Sequence, residues 1–187
     1  SSTLATVAQD VKIQVKFNPA TVKEYRLVGY ENRMLKQEDF NNDKVDAGDI
    51  GAGHNVTAIY EIIPVGQQGW LNDELYKTPT KTNAGNTLEY AFVNVRYKLP
   101  NQDKSILLNH SVPVGRKSLS QASNDTRFAI AVASYAQQLK GGEYNGAMGW
   151  DQIIQLAQQS AKPDPYLMRE EFVELAKIAK NLSAKKD

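Results

Sequence analysis

With 187 residues, 41 % of them hydrophobic and 23 % charged, the chain has the size and balance of an ordinary globular protein with a proper core. Lys and Arg total 22 against 21 Asp and Glu, and the resulting net charge of +1 provides no global field for a nucleic acid or an anionic membrane. The absence of cysteine excludes disulfides and thiolate metal sites, and no apolar run approaches the roughly 20 residues that a membrane-spanning helix needs.

The first two thirds read as strands. Val11, Ile13, Val15 and Phe17 alternate with Lys12, Gln14 and Lys16, a period of two that puts one face inward. Asn18-Pro19 ends this run, and Glu24 to Tyr30 supplies a partner strand. Met34 to Phe40 suggests a short helical turn. Glu38 to His54 is rich in Asp, Asn and Gly and reads as a turn-rich connection. His54 to Val65 is apolar on both faces, which suits a central, covered strand ending near Pro64. Gly66 to Asn86 is polar and reads as a loop. Thr87 to Leu99 and Lys104 to Val112 flank the turn Pro100-Asn-Gln-Asp103 and form a hairpin.

Then the period changes to that of a helix. Phe128, Val132, Tyr135 and Leu139 recur at helical spacing before Gly141-Gly142. A second helix starts near Asp151 with Ile153, Ile154 and Ala157 inward. Pro163 and Pro165 separate it from a third, striped by Phe172, Leu175, Ala179 and Leu182. Strands first and helices last give an α+β fold: an N-terminal antiparallel, β-sandwich-like sheet region followed by a C-terminal three-helix region. The expected boundaries are a β-rich region over 11–118 and a helical region over 119–187 packed on it.

Chemistry is sparse. Asp39, Asn41 and Asp43 have the one-three-five spacing of a calcium loop, and Asp46 and Asp49 add oxygen ligands. Position six is Lys44 instead of glycine, Asp49 arrives one residue early, and a strand follows where an exit helix belongs. Turn formation by Asp, Asn and Gly is the simpler reading, with these five residues as candidate metal ligands. Gly48, Gly51 and Gly53 precede a strand, whereas a phosphate cradle opens a helix. His54 and His110 fit no metal or catalytic spacing, and no nucleophile elbow is present. No catalytic residue, cofactor or metal is therefore assigned. Trp70, in the polar stretch Gly66-Gln-Gln-Gly-Trp-Leu71, reads as an exposed anchor for a partner.

Several segments carry a resemblance: Asp10-Val-Lys-Ile-Gln-Val-Lys-Phe-Asn-Pro19, Tyr25-Arg-Leu-Val-Gly-Tyr-Glu-Asn-Arg33, Asp39 to Gly48, Gly51 to Glu61, Arg127 to Ala133 and Asp164 to Glu174. In combination they resemble the C-terminal domain that follows a von Willebrand factor type A domain in a group of bacterial envelope proteins. The adhesion motif Asp-x-Ser-x-Ser of the type A domain does not occur in this chain. The resemblance implies that residues 1–10 are the tail of a preceding type A domain. It also implies a periplasmic or cell-envelope address, in some members as a lipoprotein. The function expected is that of a non-enzymatic accessory domain with a protein partner, the type A domain in cis included. A calcium-dependent module at Asp39 to Asp49 is the alternative. Sequence does not fix the oligomeric state.

Overall fold

The structure is a computed structural model that describes residues 5–29, 35–36, 43–70, 87–115 and 117–184, with the backbone course alone for 35–36 and 43–48. The chain divides into two compact units, Ser1–Gly115 and Arg116–Asp187. Unit 1 holds seven strands among its described residues: β1 (Thr6–Phe17), β2 (Val22–Leu27), β3 (Leu35–Lys36), β4 (Asp43–Gly51), β5 (Tyr60–Pro64), β6 (Glu89–Lys98) and β7 (Ser105–Pro113). They form two antiparallel sheets, ordered β4-β1-β6-β7 and β3-β2-β5. Unit 2 holds α1 (Asn124–Leu139), α2 (Trp150–Gln159) and α3 (Met168–Ser183). The α+β order expected from the change of period is what the chain adopts.

Several expected elements differ. β1 starts at Thr6, ahead of the expected boundary at residue 11, so residues 6–10 belong to the sheet; Ser1 to Leu4 lie outside the described residues. The early start needs an irregularity that alternation cannot signal. Asp10 has φ 51°, and the register with β4 and β6 shifts around it. The Asp10 N–H donates to Asp49 Oδ1 at 3.1 Å, and its carboxylate pairs with Lys12 at 2.9 Å and Lys98 at 3.4 Å. The hydrogen bonds from Lys12 and Lys98 hold the Asp10 carboxyl below the usual aspartate pKa.

The expected turn-rich connection contains a strand. β4 pairs with β1, Asp43 opposite Val15 and Asp46 opposite Lys12, although Asp and Gly are poor strand formers. A neighbouring strand with open hydrogen-bonding groups overrides that local preference. The expected central strand over 54–65 is reduced to Tyr60–Pro64 at a sheet edge, and Val56 is exposed. Where a helical turn was expected within 34–40, Leu35–Lys36 pairs with β2; the rest of that segment and residues 71–86 of the expected loop lie outside the described residues.

The strand covered on both faces is β2. Tyr25 and Leu27 point to one side and Glu24 and Arg26 to the other, and these four are buried, as is Val22. On the first side, the Phe17 ring of β1 stacks on Tyr25 at 4.0 Å and meets Tyr60 edge-on at 5.3 Å, which joins the two sheets. The turn between β1 and β2 is tied to β6, since Thr21 Oγ1 and Asn18 Nδ2 both donate to the Glu89 carbonyl, at 2.7 and 2.8 Å. On the second side, Arg26 Nε and Nη2 both donate to Oε2 of the facing Glu61, at 2.9 and 2.7 Å. The Arg26 guanidinium also lies 5.3 Å from the centre of the Trp70 ring. Glu24 Oε2 accepts the Trp70 N–H at 2.7 Å. The close approach is possible because residue 69 is glycine: a Cβ there would lie 1.8 Å from Glu24 Oε1.

In unit 2, Ala131 of α1, Leu156 and Ala157 of α2 and Val173 of α3 form the core, with Phe128 and Phe172 against it. Ala131, Ala157 and Ala176 are fully buried, and their small side chains let the helices approach. Edge-to-face contacts run from Trp150 to Tyr135 (5.7 Å), to Phe172 (5.2 Å) and to Phe128 (5.4 Å), linking the three helices. Arg169 adds a second link. Its guanidinium covers Phe128 at 4.9 Å, donates to the Ser160 carbonyl at 3.1 Å and pairs with Asp125. Two expected stripes are out of phase. Val132 and Leu139 of α1, and Leu175 and Leu182 of α3, are exposed, while α3 buries Val173 and Ala176.

Asp164 holds the start of α3, its Oδ2 accepting the N–H groups of Arg169 and Glu170, both at 2.9 Å. Burial pushes the Asp164 carboxyl up. The two backbone hydrogen bonds and the charges of Lys162 and Arg169 outweigh burial, and the net pKa lies below the usual aspartate value. A lowered folded-state pKa gives stability that is present above the unfolded value and is lost as pH falls through the folded one. Asp164→Ala is therefore expected to lower the urea midpoint at pH 7, with the gap to wild type closing as the pH is taken below that of an ordinary carboxylate. A gap unchanged down to pH 2 would contradict the cap. Gly69→Ala is expected to displace the Glu24 carboxylate from the Trp70 N–H and destabilise the domain by about 1–3 kcal/mol, measured by urea unfolding; an unchanged midpoint would contradict the close packing.

Candidate interaction surface

An apolar groove lies within unit 2, between the end of α2 and the exposed side of α3. It is a groove of about 780 Å³ whose apolar lining comprises Ala161, Leu167, Val173, Leu175 and Ile178. Leu167, Leu175 and Ile178 are each at least half exposed, so this lining faces solvent. Three carboxylates (Glu170, Glu171, Glu174) and two ammonium groups (Lys162, Lys177) surround it. Lys162 pairs with Glu170, and Lys177 with Glu174 at 2.6 Å. The hydrogen bond that Lys162 donates to the Glu170 carboxylate, followed by the charge of Glu170, raises the Lys162 pKa, which keeps the ammonium protonated. An apolar floor thus lies inside a charged rim in which two of the three carboxylates are ion-paired.

The groove follows from local sequence. Asp164-Pro-Tyr-Leu167 cannot extend α2, and Leu167 takes φ 57° just before α3 begins. A leucine in the left-handed region is uncommon, and such conformations concentrate at functional sites. The helix that follows has two apolar sides. Phe172, Val173 and Ala176 turn to the bundle, while Leu175, Ile178 and Leu182 recur at intervals of three and four on an exposed side. Sequence reasoning placed Leu175 in the core because a single stripe was drawn through both sides; the second apolar side was the available signal for the groove.

The candidate ligands of the acidic stretch occupy other places. Asp43, Asp46 and Asp49 are spread along β4, and its first and last members are about 20 Å apart at ~3.3 Å per residue. Calcium ligands must converge on one point at about 2.3–2.6 Å, and an extended strand does not bring these three together. Asp49 serves the β1 irregularity through the Asp10 N–H. Asp39 and Asn41 lie outside the described residues. Among the described residues, no group of three or more His, Asp or Glu side chains is placed to hold a metal ion. His54 is exposed in a turn with Nδ1 3.2 Å from the Ala52 carbonyl, and His110 is exposed on β7. Trp70, expected as an exposed anchor, is half-buried; its N–H and its ring are engaged by Glu24 and Arg26. No helix among the described residues is long and apolar enough to cross a membrane.

Comparison with known protein families matches residues 2–182 to the family described as "Uncharacterized protein YfbK, C-terminal". The chain belongs to this family. Uncharacterized protein YfbK of Escherichia coli (strain K12) is 44 % identical over 177 residues, which cover 94 % of this chain and 30 % of that protein. The chain thus spans less than a third of the length of this curated relative. No solved structure matches it. The family match takes in both the β-rich and the helical unit.

If β4 carries no calcium site, millimolar calcium leaves the thermal midpoint unchanged. A site with a Kd of about 10 µM would add roughly 2.7 kcal/mol of stability at 1 mM calcium. A saturable rise of that order in a thermal melt would restore the calcium reading.

Proposed function

We propose that this YfbK C-terminal domain is a non-enzymatic accessory module that binds protein at the bacterial cell envelope. The observation that carries this reading is the apolar groove beside α3, with its ion-paired rim. Such a surface favours an apolar polypeptide segment over a small charged substrate, because its floor is apolar and four of its five charged groups are ion-paired with one another. The rim carries three carboxylates against two lysines, which suits a partner segment with a basic flank.

The partner we propose is in cis: a von Willebrand factor type A domain on the same polypeptide. Two points support it. The segments quoted above resemble domains that follow a type A domain, and the E. coli relative has more than twice this chain's length beyond the match. The address proposed with it is the periplasm or cell envelope, on a lipoprotein in some members of the group.

Titration calorimetry of this chain against the separately produced remainder of the E. coli relative tests the proposal. A Kd of roughly 1–100 µM is expected, in the range of a transient interface. Ile178→Glu is expected to weaken it at least ~10-fold while changing stability by no more than about 0.5 kcal/mol, as an exposed substitution does. Absence of binding, or a Kd untouched by Ile178→Glu, would contradict the assignment of the groove.

A further inference from the structure

We propose that this chain also pairs with a second copy of itself through β7, the two β7 strands running antiparallel about a two-fold axis at Leu107. β7 ends the larger sheet, and among the described residues its outer side meets no strand. An edge strand offers a row of unpaired backbone N–H and C=O groups, and chains blunt such edges with charge, proline, glycine or irregular register. The opposite edge has these devices. β4 carries Asp43, Lys44, Asp46 and Asp49, two glycines and three shifts of register against β1.

Apart from Pro113 and the shift of register beside it at its very end, β7 has none of them. From Ser105 to Val112 it holds no acid, no lysine or arginine, no proline and no glycine, and its pairing with β6 is regular from Ala91 to Lys98. It also exposes adjacent leucines. Leu107 is 51 % and Leu108 55 % exposed, and as neighbours in a strand they point to opposite faces of the sheet. A partner that only covered one face would leave the other leucine in water. A strand added in the plane of the sheet flanks both.

The sequence of the strand itself selects the occupant. A two-fold axis perpendicular to the sheet keeps each face continuous, so it must centre the pair on a residue. Centred on Leu107, it sets Leu107 opposite its own copy on one face and Ile106 opposite Leu108 of the second copy on the other. Centred on Leu108, it sets Ile106 opposite His110 and Leu107 opposite Asn109. Centred on Asn109, it sets Leu108 opposite His110 and Leu107 opposite Ser111. The first register alone matches apolar to apolar at all three central positions, which is the arrangement that cross-strand pairing favours.

The chain has no cysteine, so single substitutions report the register directly. Directly opposed residues have Cα atoms about 4.5–5.5 Å apart, within disulfide reach. In the proposed register, Asn109 and its copy are offset by four positions, about 13 Å along the strand, and out of reach. Sedimentation equilibrium of the unmodified chain is expected to show a concentration-dependent dimer. Mild oxidation is expected to link Leu107→Cys at least ~10-fold faster than Asn109→Cys. Leu107→Lys, at a half-exposed position, is expected to keep the wild-type circular dichroism and be monomeric. Three results would each overturn the proposal: a wild-type chain monomeric at every concentration, equal or reversed linking rates, or a dimer that survives Leu107→Lys. Open-ended aggregates in place of a dimer would also overturn it, since the two-fold pairing closes on itself.

Discussion

The β-rich unit depends on one buried cation. Arg26 is fully buried on a strand covered on both faces, and a guanidinium cannot shed its proton to escape the cost of leaving water. Every neighbour must therefore be arranged around it. β5 must sit in the register that puts Glu61 opposite, and the turn after β5 must bring the Trp70 ring over the guanidinium. Glu24, two residues away on the same face, fixes that turn through the Trp70 N–H, and glycine at 69 makes room for its carboxylate. The other face of the same strand carries the Phe17, Tyr25 and Tyr60 rings that join the sheets. One six-residue strand thus organises a polar layer on one side and an aromatic layer on the other.

That strand also shows where sequence reading succeeds and stops. Alternation exposed β1, and the turn at Pro100-Asn101 exposed the β6–β7 hairpin, because both signals are local. Arg26 and Glu24 carry no such signal: a charged residue in a strand looks solvent-facing until its partner is known, and Glu61 lies thirty-five positions away. β4 was illegible for the converse reason. Its Asp and Gly residues have the composition of a turn, and only the hydrogen-bonding side of β1 makes them a strand. Trp70 looked like an anchor because the polar stretch before it gave no hint of Arg26. In the helices, existence and order were plain from the change of period, but phase was not. α3 has apolar residues on two sides, and a single stripe drawn through Phe172, Leu175, Ala179 and Leu182 mixes the bundle side with the groove side.

Among the described residues the ionic side chains mostly work for the fold: Asp164 holds a helix start, Asp49 and Asp10 hold an irregular strand, and Arg169 ties the three helices together. Groups so engaged are poor general acids or ligands. What the domain offers outward is shape and apolar area, beside α3 in one unit and along β7 in the other. The two surfaces differ in kind. The groove is lined by side chains and suits a folded or helical segment, whereas the strand edge presents backbone and accepts only another strand.

Hydrogen–deuterium exchange tests the central claim, that this domain acts by binding protein through the groove beside α3, most directly. The chain is measured alone and with the remainder of the E. coli relative. Slower exchange is expected over residues 158–178 on mixing, with the β2–β5 pairing already protected and unchanged. Protection confined to other segments, or no change anywhere, would contradict it.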